Sequence, residues 1–83
     1  MPKREPLYPH VPKSRKAEVD MVSYLRRSIN EELQAVRDYS QRAAIARNAG
    51  DSETAQLFEH IAKEEETHAS EFKERITALV ERT

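Results

Sequence analysis

Between Lys13 and Thr83 the chain contains no proline, and its single glycine, Gly50, stands near the middle of that stretch. Sheets need a turn every few residues, and turns draw on Gly and Pro, so a run with one point of punctuation is a helical run. The only segment with turn chemistry is Asn48-Ala49-Gly50-Asp51-Ser52. Two long helices joined there must lie antiparallel, because the connection is too short for any other return. Ser14 or a neighbour caps the first helix, Gly50 suits the left-handed residue just past its end, and Asp51 or Ser52 caps the second. The expected fold class is all-α, an antiparallel two-helix hairpin over residues 14–83.

The first 13 residues are written differently. All four prolines (Pro2, Pro6, Pro9 and Pro12) fall there, and residues 1–16 hold Lys3, Arg4, Lys13, Arg15 and Lys16 against Glu5 alone. Residues 1–13 therefore read as a basic, proline-rich tail outside the hairpin. Composition favours a solvated tail over a docking arm for an acidic surface such as a sister subunit. With 83 residues, 37% hydrophobic and 35% charged, the chain has little material for a private core and needs a partner. The absence of cysteine excludes disulfides, zinc fingers, thiolate clusters and thiol nucleophiles, so any metal must be held by carboxylate and imidazole. A formal net charge of −1 offers no general drive toward nucleic acid. No apolar run is long enough for a membrane span or a signal peptide, so no membrane role is expected and cytoplasm is the default location.

Spacing carries the functional argument. In the first helix a 3,4 repeat selects Val22, Leu25, Ile29, Glu32, Val36, Tyr39, Ala43 and Ala46, with Leu33 beside the stripe. One carboxylate thus interrupts an apolar seam. In the second helix the repeat selects Thr54, Phe58, Ile61, Glu65, His68, Phe72, Arg75 and Leu79, flanked by Leu57, Ala62, Ala69 and Ile76. Glu32 lies 18 residues before Gly50, and Glu65 and His68 lie 15 and 18 residues after it, so all three fall at one level of an antiparallel hairpin.

Unpaired carboxylates in a dry seam cost several kcal/mol or take up protons, and a divalent cation relieves them. Glu65-Glu66-Thr67-His68 is an E-x-x-H spacing, which sets carboxylate and imidazole one helical turn apart on one face. Di-iron carboxylate bundles use a Glu from each of two helices and an E-x-x-H from each of the other two. One copy of this chain supplies half that set, so the expected unit is a two-fold homodimer with the metals at its interface. Oxygen-rich ligation with one imidazole per metal suits Fe(II) or Mn(II), and Zn(II) can substitute without redox chemistry. Iron is the expected metal. Glu31, Asp38, Glu64 and Glu66 read as solvated acids, with Glu31 the best placed for a transient metal site. Tyr39, seven residues past Glu32 on the same stripe, reads as packing or as an outer-shell hydrogen bonder or radical site. His10 and His60 lie off the seam.

The run Asn30-Glu31-Glu32-Leu33-Gln34-Ala35-Val36-Arg37-Asp38-Tyr39, followed by Gln41-Arg42 and then by Lys63-Glu64-Glu65-Glu66-Thr67-His68-Ala69, resembles the encapsulated-ferritin and half-ferritin branch of the ferritin-like superfamily. The resemblance spans about residues 18–76. It implies a two-helix ferroxidase subunit that dimerises into a ferritin-like four-helix bundle and oxidises Fe(II) to Fe(III) with O₂ in iron storage or detoxification. By that resemblance Glu32 bridges the metals, Glu65 and His68 complete each iron site, and Glu31 and residue 34 line a metal access route. Here residue 34 is Gln34, which departs from an all-carboxylate route. The resemblance further implies a higher, ring-like oligomer and an encapsulin shell as partner, placing the protein in the cytoplasm or in an encapsulin nanocompartment. No targeting segment of that kind follows helix two before Thr83. Competing readings are a rubrerythrin-like peroxide reductase, a manganese-type peroxide-disproportionating enzyme, and a non-catalytic coiled-coil assembly module. Metal content and peroxide turnover separate them.

Overall fold

The computed structural model describes residues 15–81. The proline-rich segment 1–13 and a cap at Ser14 lie outside the described residues. Helix α1 runs Arg15–Asn48 (34 residues) and helix α2 runs Ser52–Glu81 (30 residues), with no strand among the described residues. At about 1.5 Å per residue the helices are roughly 50 and 45 Å long, and they pack side by side in a single layer. Neither helix is long and apolar enough to cross a membrane.

The turn closes by local chemistry. Gly50 takes φ +83°, and the chain reversal is held by Asp51 N–H donating to the Ala46 carbonyl (2.9 Å) and Gly50 N–H to that of Arg47 (3.0 Å). These are the two bonds of a Schellman termination, which satisfy carbonyls that α1 leaves open and place glycine where other residues pay a steric penalty. Asp51 then starts α2: its carboxylate accepts from the Thr54 N–H at 3.0 Å and from the Thr54 hydroxyl at 2.6 Å. The hydroxyl first and the backbone N–H second hold the Asp51 carboxyl below its ordinary value. Of the two candidate caps, Asp51 is the one that bonds.

Among the described residues only alanines are buried: Ala43 and Ala46 on α1, and Ala55, Ala62 and Ala69 on α2. The last three are seven residues apart, so they form one line along α2, and their small side chains let the two helices approach closely. This corrects the sequence reading of α2. The strict repeat ran through Arg75, which is exposed, whereas Ile76, one residue on, is half-buried and continues the alanine line. The physical reason is supercoil geometry: a heptad line (55, 62, 69, 76) follows the partner helix, and alanine at such positions gives a weak apolar signal. Larger apolar groups, including Leu25, Ile29, Phe58, Ile61, Phe72 and Leu79, are only half-buried. The hairpin therefore leaves an apolar face without a second layer. Near the turn the helices are tied by a fork from Arg47 to both oxygens of Glu59 (2.8 Å each from one guanidinium nitrogen).

Candidate metal centre

Glu32 lies at the middle of α1, and Glu65 and His68 at the middle of α2. The hairpin brings the three together: one ligand atom from each lies within 4.8 Å of the others. His68 Nδ1 is 3.1 Å from Glu65 Oε1 and 3.6 Å from Glu32 Oε1. The carboxylate side chains retain 24% and 22% of their exposure and the imidazole 51%, so the site is partly shielded and approachable from the face that α1 and α2 leave uncovered.

The charges in this group are interdependent. A hydrogen bond between Glu32 and Glu65, then partial burial and the Glu65 charge, raises the Glu32 carboxyl above its ordinary value. The same hydrogen bond lowers that of Glu65. The two carboxyls therefore differ in proton affinity, Glu32 holding a proton more readily than Glu65. His68 is raised, first by its hydrogen bond to Glu65 and further by the Glu32 charge, so Nδ1–H donates to Glu65 when the ring is protonated. A proton taken up by this set eases the repulsion between its carboxylates. A divalent cation does the same work with more charge. Two hard oxygen donors and a borderline nitrogen donor fit Fe(II), Mn(II) or Zn(II) on ligand type.

The remaining candidates stand apart from this group. Tyr39 stacks on Phe58 across the hairpin, ring centroids 5.9 Å apart and 23° from parallel, and Arg42 lies 5.2 Å above the Tyr39 ring. Its observed partners are therefore aromatic and cationic, toward the turn from the triad. Glu31 is exposed and outside the three-residue cluster. Gln34 is exposed too; its amide donates to Asp38 at 3.0 Å and its oxygen accepts from Arg37 at 2.7 Å. His60 pairs with Glu64 at 3.2 Å on the surface, off the seam. The Arg42 contact had a sequence signal, since Tyr39 and Arg42 are one turn apart, but the Tyr39–Phe58 stack depends on the register between helices.

Compared with known families, the chain matches the family described as Ferritin-like domain over residues 4–81. No curated protein and no solved structure matches the chain.

Proposed function

The chain belongs to the ferritin-like family, and from that premise we propose that it is a ferroxidase whose substrate, Fe(II), is oxidised to Fe(III) at a paired site formed between two copies, in iron storage or detoxification. The observation that carries this reading is the convergence of Glu32, Glu65 and His68 within 4.8 Å at the midpoint of a hairpin whose face there is uncovered. Because the triad is central in both helices, a two-fold axis through it, perpendicular to the helices, lays a second hairpin along the first over its full length with the turns at opposite ends. That arrangement covers the half-buried stripe of Leu25, Phe58, Ile61 and Phe72 and gathers four Glu and two His, the ligand set of a di-iron carboxylate bundle.

The roles of the residues follow from their placement. Glu32 and Glu65, deprotonated, supply anionic oxygens that favour the higher charge of the ferric product; by the family resemblance Glu32 would take the bridging place. His68 supplies the neutral nitrogen and must lose its extra proton to do so. Each Fe(II) gives up one electron and O₂ accepts them, so carboxylates that prefer the trivalent ion draw the reaction forward. Glu31, on the exposed side of α1, serves in metal access. Tyr39 lies two helical turns from Glu32 along the same stripe, toward the hairpin turn.

Stopped-flow absorbance after anaerobic Fe(II) loading and mixing with O₂ tests the reading. Glu32→Ala, Glu65→Ala and His68→Ala should each remove most Fe(II) oxidation, because every change damages both halves of a symmetric site. Near-wild-type rates in all three variants reject the assignment.

A further inference from the structure

A second constellation lies on another edge of the hairpin. A groove of about 450 Å³ between the helices is lined by Arg26, Ile29 and Asn30 of α1 and by Lys73, Ile76 and Thr77 of α2. Four of these six carry hydrogen-bond donors, and none of the four makes a side-chain hydrogen bond or ion pair among the described residues. The two cations are unusual in this chain. Neither Arg26 nor Lys73 has an acid three or four residues away on its helix: the neighbours are Val22, Ser23, Ile29 and Asn30 for one, and Ala69, Ser70, Ile76 and Thr77 for the other. Every other Lys or Arg in residues 15–81 has an acid at that spacing or, like Arg47, across the hairpin, apart from Arg37, which donates to Gln34.

The heptad register sharpens the contrast. Arg26 lies three heptads before Arg47, and Lys73 two heptads after Glu59, so both stand on the edge that carries the Arg47–Glu59 fork. Near the turn that edge sets a cation against an acid. In the groove it sets a cation on each helix with no acid between, and adds an amide one turn beyond Arg26 and a hydroxyl one turn beyond Lys73. Donors of this kind, directed into one concavity with no acceptor of their own, match an oxyanion: guanidinium and ammonium meet its charge, and Asn30 and Thr77 supply neutral donors.

We propose that the groove between Arg26–Asn30 and Lys73–Thr77 is a binding site for a phosphate group. Heptad spacing sets His68 in line with Ile61 and Thr54, on the opposite edge, so phosphate and a metal at the triad occupy separate places. The proposal is independent of the ferroxidase reading, and its test needs no iron. Two ligands distinguish the form of the group: inorganic phosphate, and a nucleoside monophosphate whose organic part would lie over Ile29 and Ile76.

The experiment titrates metal-free full-length protein, in chelator, with each ligand, following the ³¹P resonance and the melting temperature against sodium chloride of equal ionic strength. Saturable binding by either ligand is expected, weakened about tenfold or more in the R26Q/K73Q double variant, as loss of charge-assisted hydrogen bonds implies. The R27Q/R75Q variant, with the same change in net charge outside the groove, should bind as wild type does. Glutamine preserves helix propensity, and far-ultraviolet circular dichroism checks that both variants fold. Absence of saturable binding by both ligands overturns the proposal. So does equal weakening in the two double variants, which would reduce the effect to overall charge.

Discussion

Ala62→Leu tests the packing on which the metal centre depends. Ala62 retains 7% exposure, in the middle of the alanine line of α2 and one turn before Glu65. Leucine has nearly the helix propensity of alanine, so the substitution leaves the helix itself almost unaffected and acts through the interhelical contact. Added carbons in a close-packed interior cost about 1–3 kcal/mol. A cooperative unit of this size shifts by about 4–8 °C per kcal/mol, so the melting temperature should fall by about 4–24 °C. Circular dichroism melts at one fixed protein concentration, in chelator, measure it, with Ile45→Ala as the reference because Ile45 is 60% exposed and should change stability by less than about 0.5 kcal/mol. The same variant should bind Fe(II) or Mn(II) more weakly, since wedging the helices apart at Ala62 draws Glu65 and His68 from Glu32. A melting temperature equal to or above that of wild type would refute the argument that small side chains set the approach of the helices.

Two further substitutions probe the turn. Gly50→Ala meets no atom within 4 Å, so its cost comes from φ +83° alone and should be about 1–2 kcal/mol in urea denaturation; an unchanged midpoint would show that the turn relaxes out of the left-handed conformation. Asp51→Ala should destabilise the protein at neutral pH. Because the folded Asp51 carboxyl sits below its ordinary value of 3.8, its contribution is fully present above that value and is lost as the pH falls through the folded one. The gap between wild type and variant in denaturation midpoint should therefore narrow on acidification below 3.8, and a gap independent of pH would mean that the carboxylate charge plays no part.

The hairpin was legible because its determinants are local. One glycine, one flanking acid and the absence of proline specify two helices and a turn without reference to anything distant. The level of Glu32 with Glu65 and His68 was legible for a related reason: in an antiparallel pair, distance from the turn is a coordinate along both helices. Rotation about each helix axis was harder to read. A strict repeat admitted Arg75 and passed beside Ala55, since alanine is as common on a surface as in a close contact and the side chains that bear the packing here are the smallest. The Tyr39–Phe58 stack and the Arg26–Lys73 groove need that rotation too, which is why neither showed in the residue pattern of one helix.

The burial pattern bears on why metal and assembly belong together in the proposed reading. Five alanines are the whole buried core of the described residues, and each buries little apolar area, so the close contact within one hairpin contributes only modestly to its stability. The larger groups, Phe58, Ile61 and Phe72 with Leu25, are half-buried on the face that also carries Glu32 and Glu65. A second copy laid on that face removes apolar surface from water and, in the same step, brings two more carboxylates against the first pair. The first effect favours the dimer and the second opposes it through repulsion and desolvation. Protons relieve the opposition in part, and divalent cations relieve it more fully because each carries two charges. If the site is complete only in the dimer, metal affinity and dimer affinity are one linked quantity. Metal binding that did not strengthen the dimer would locate the triad's function within a single hairpin instead.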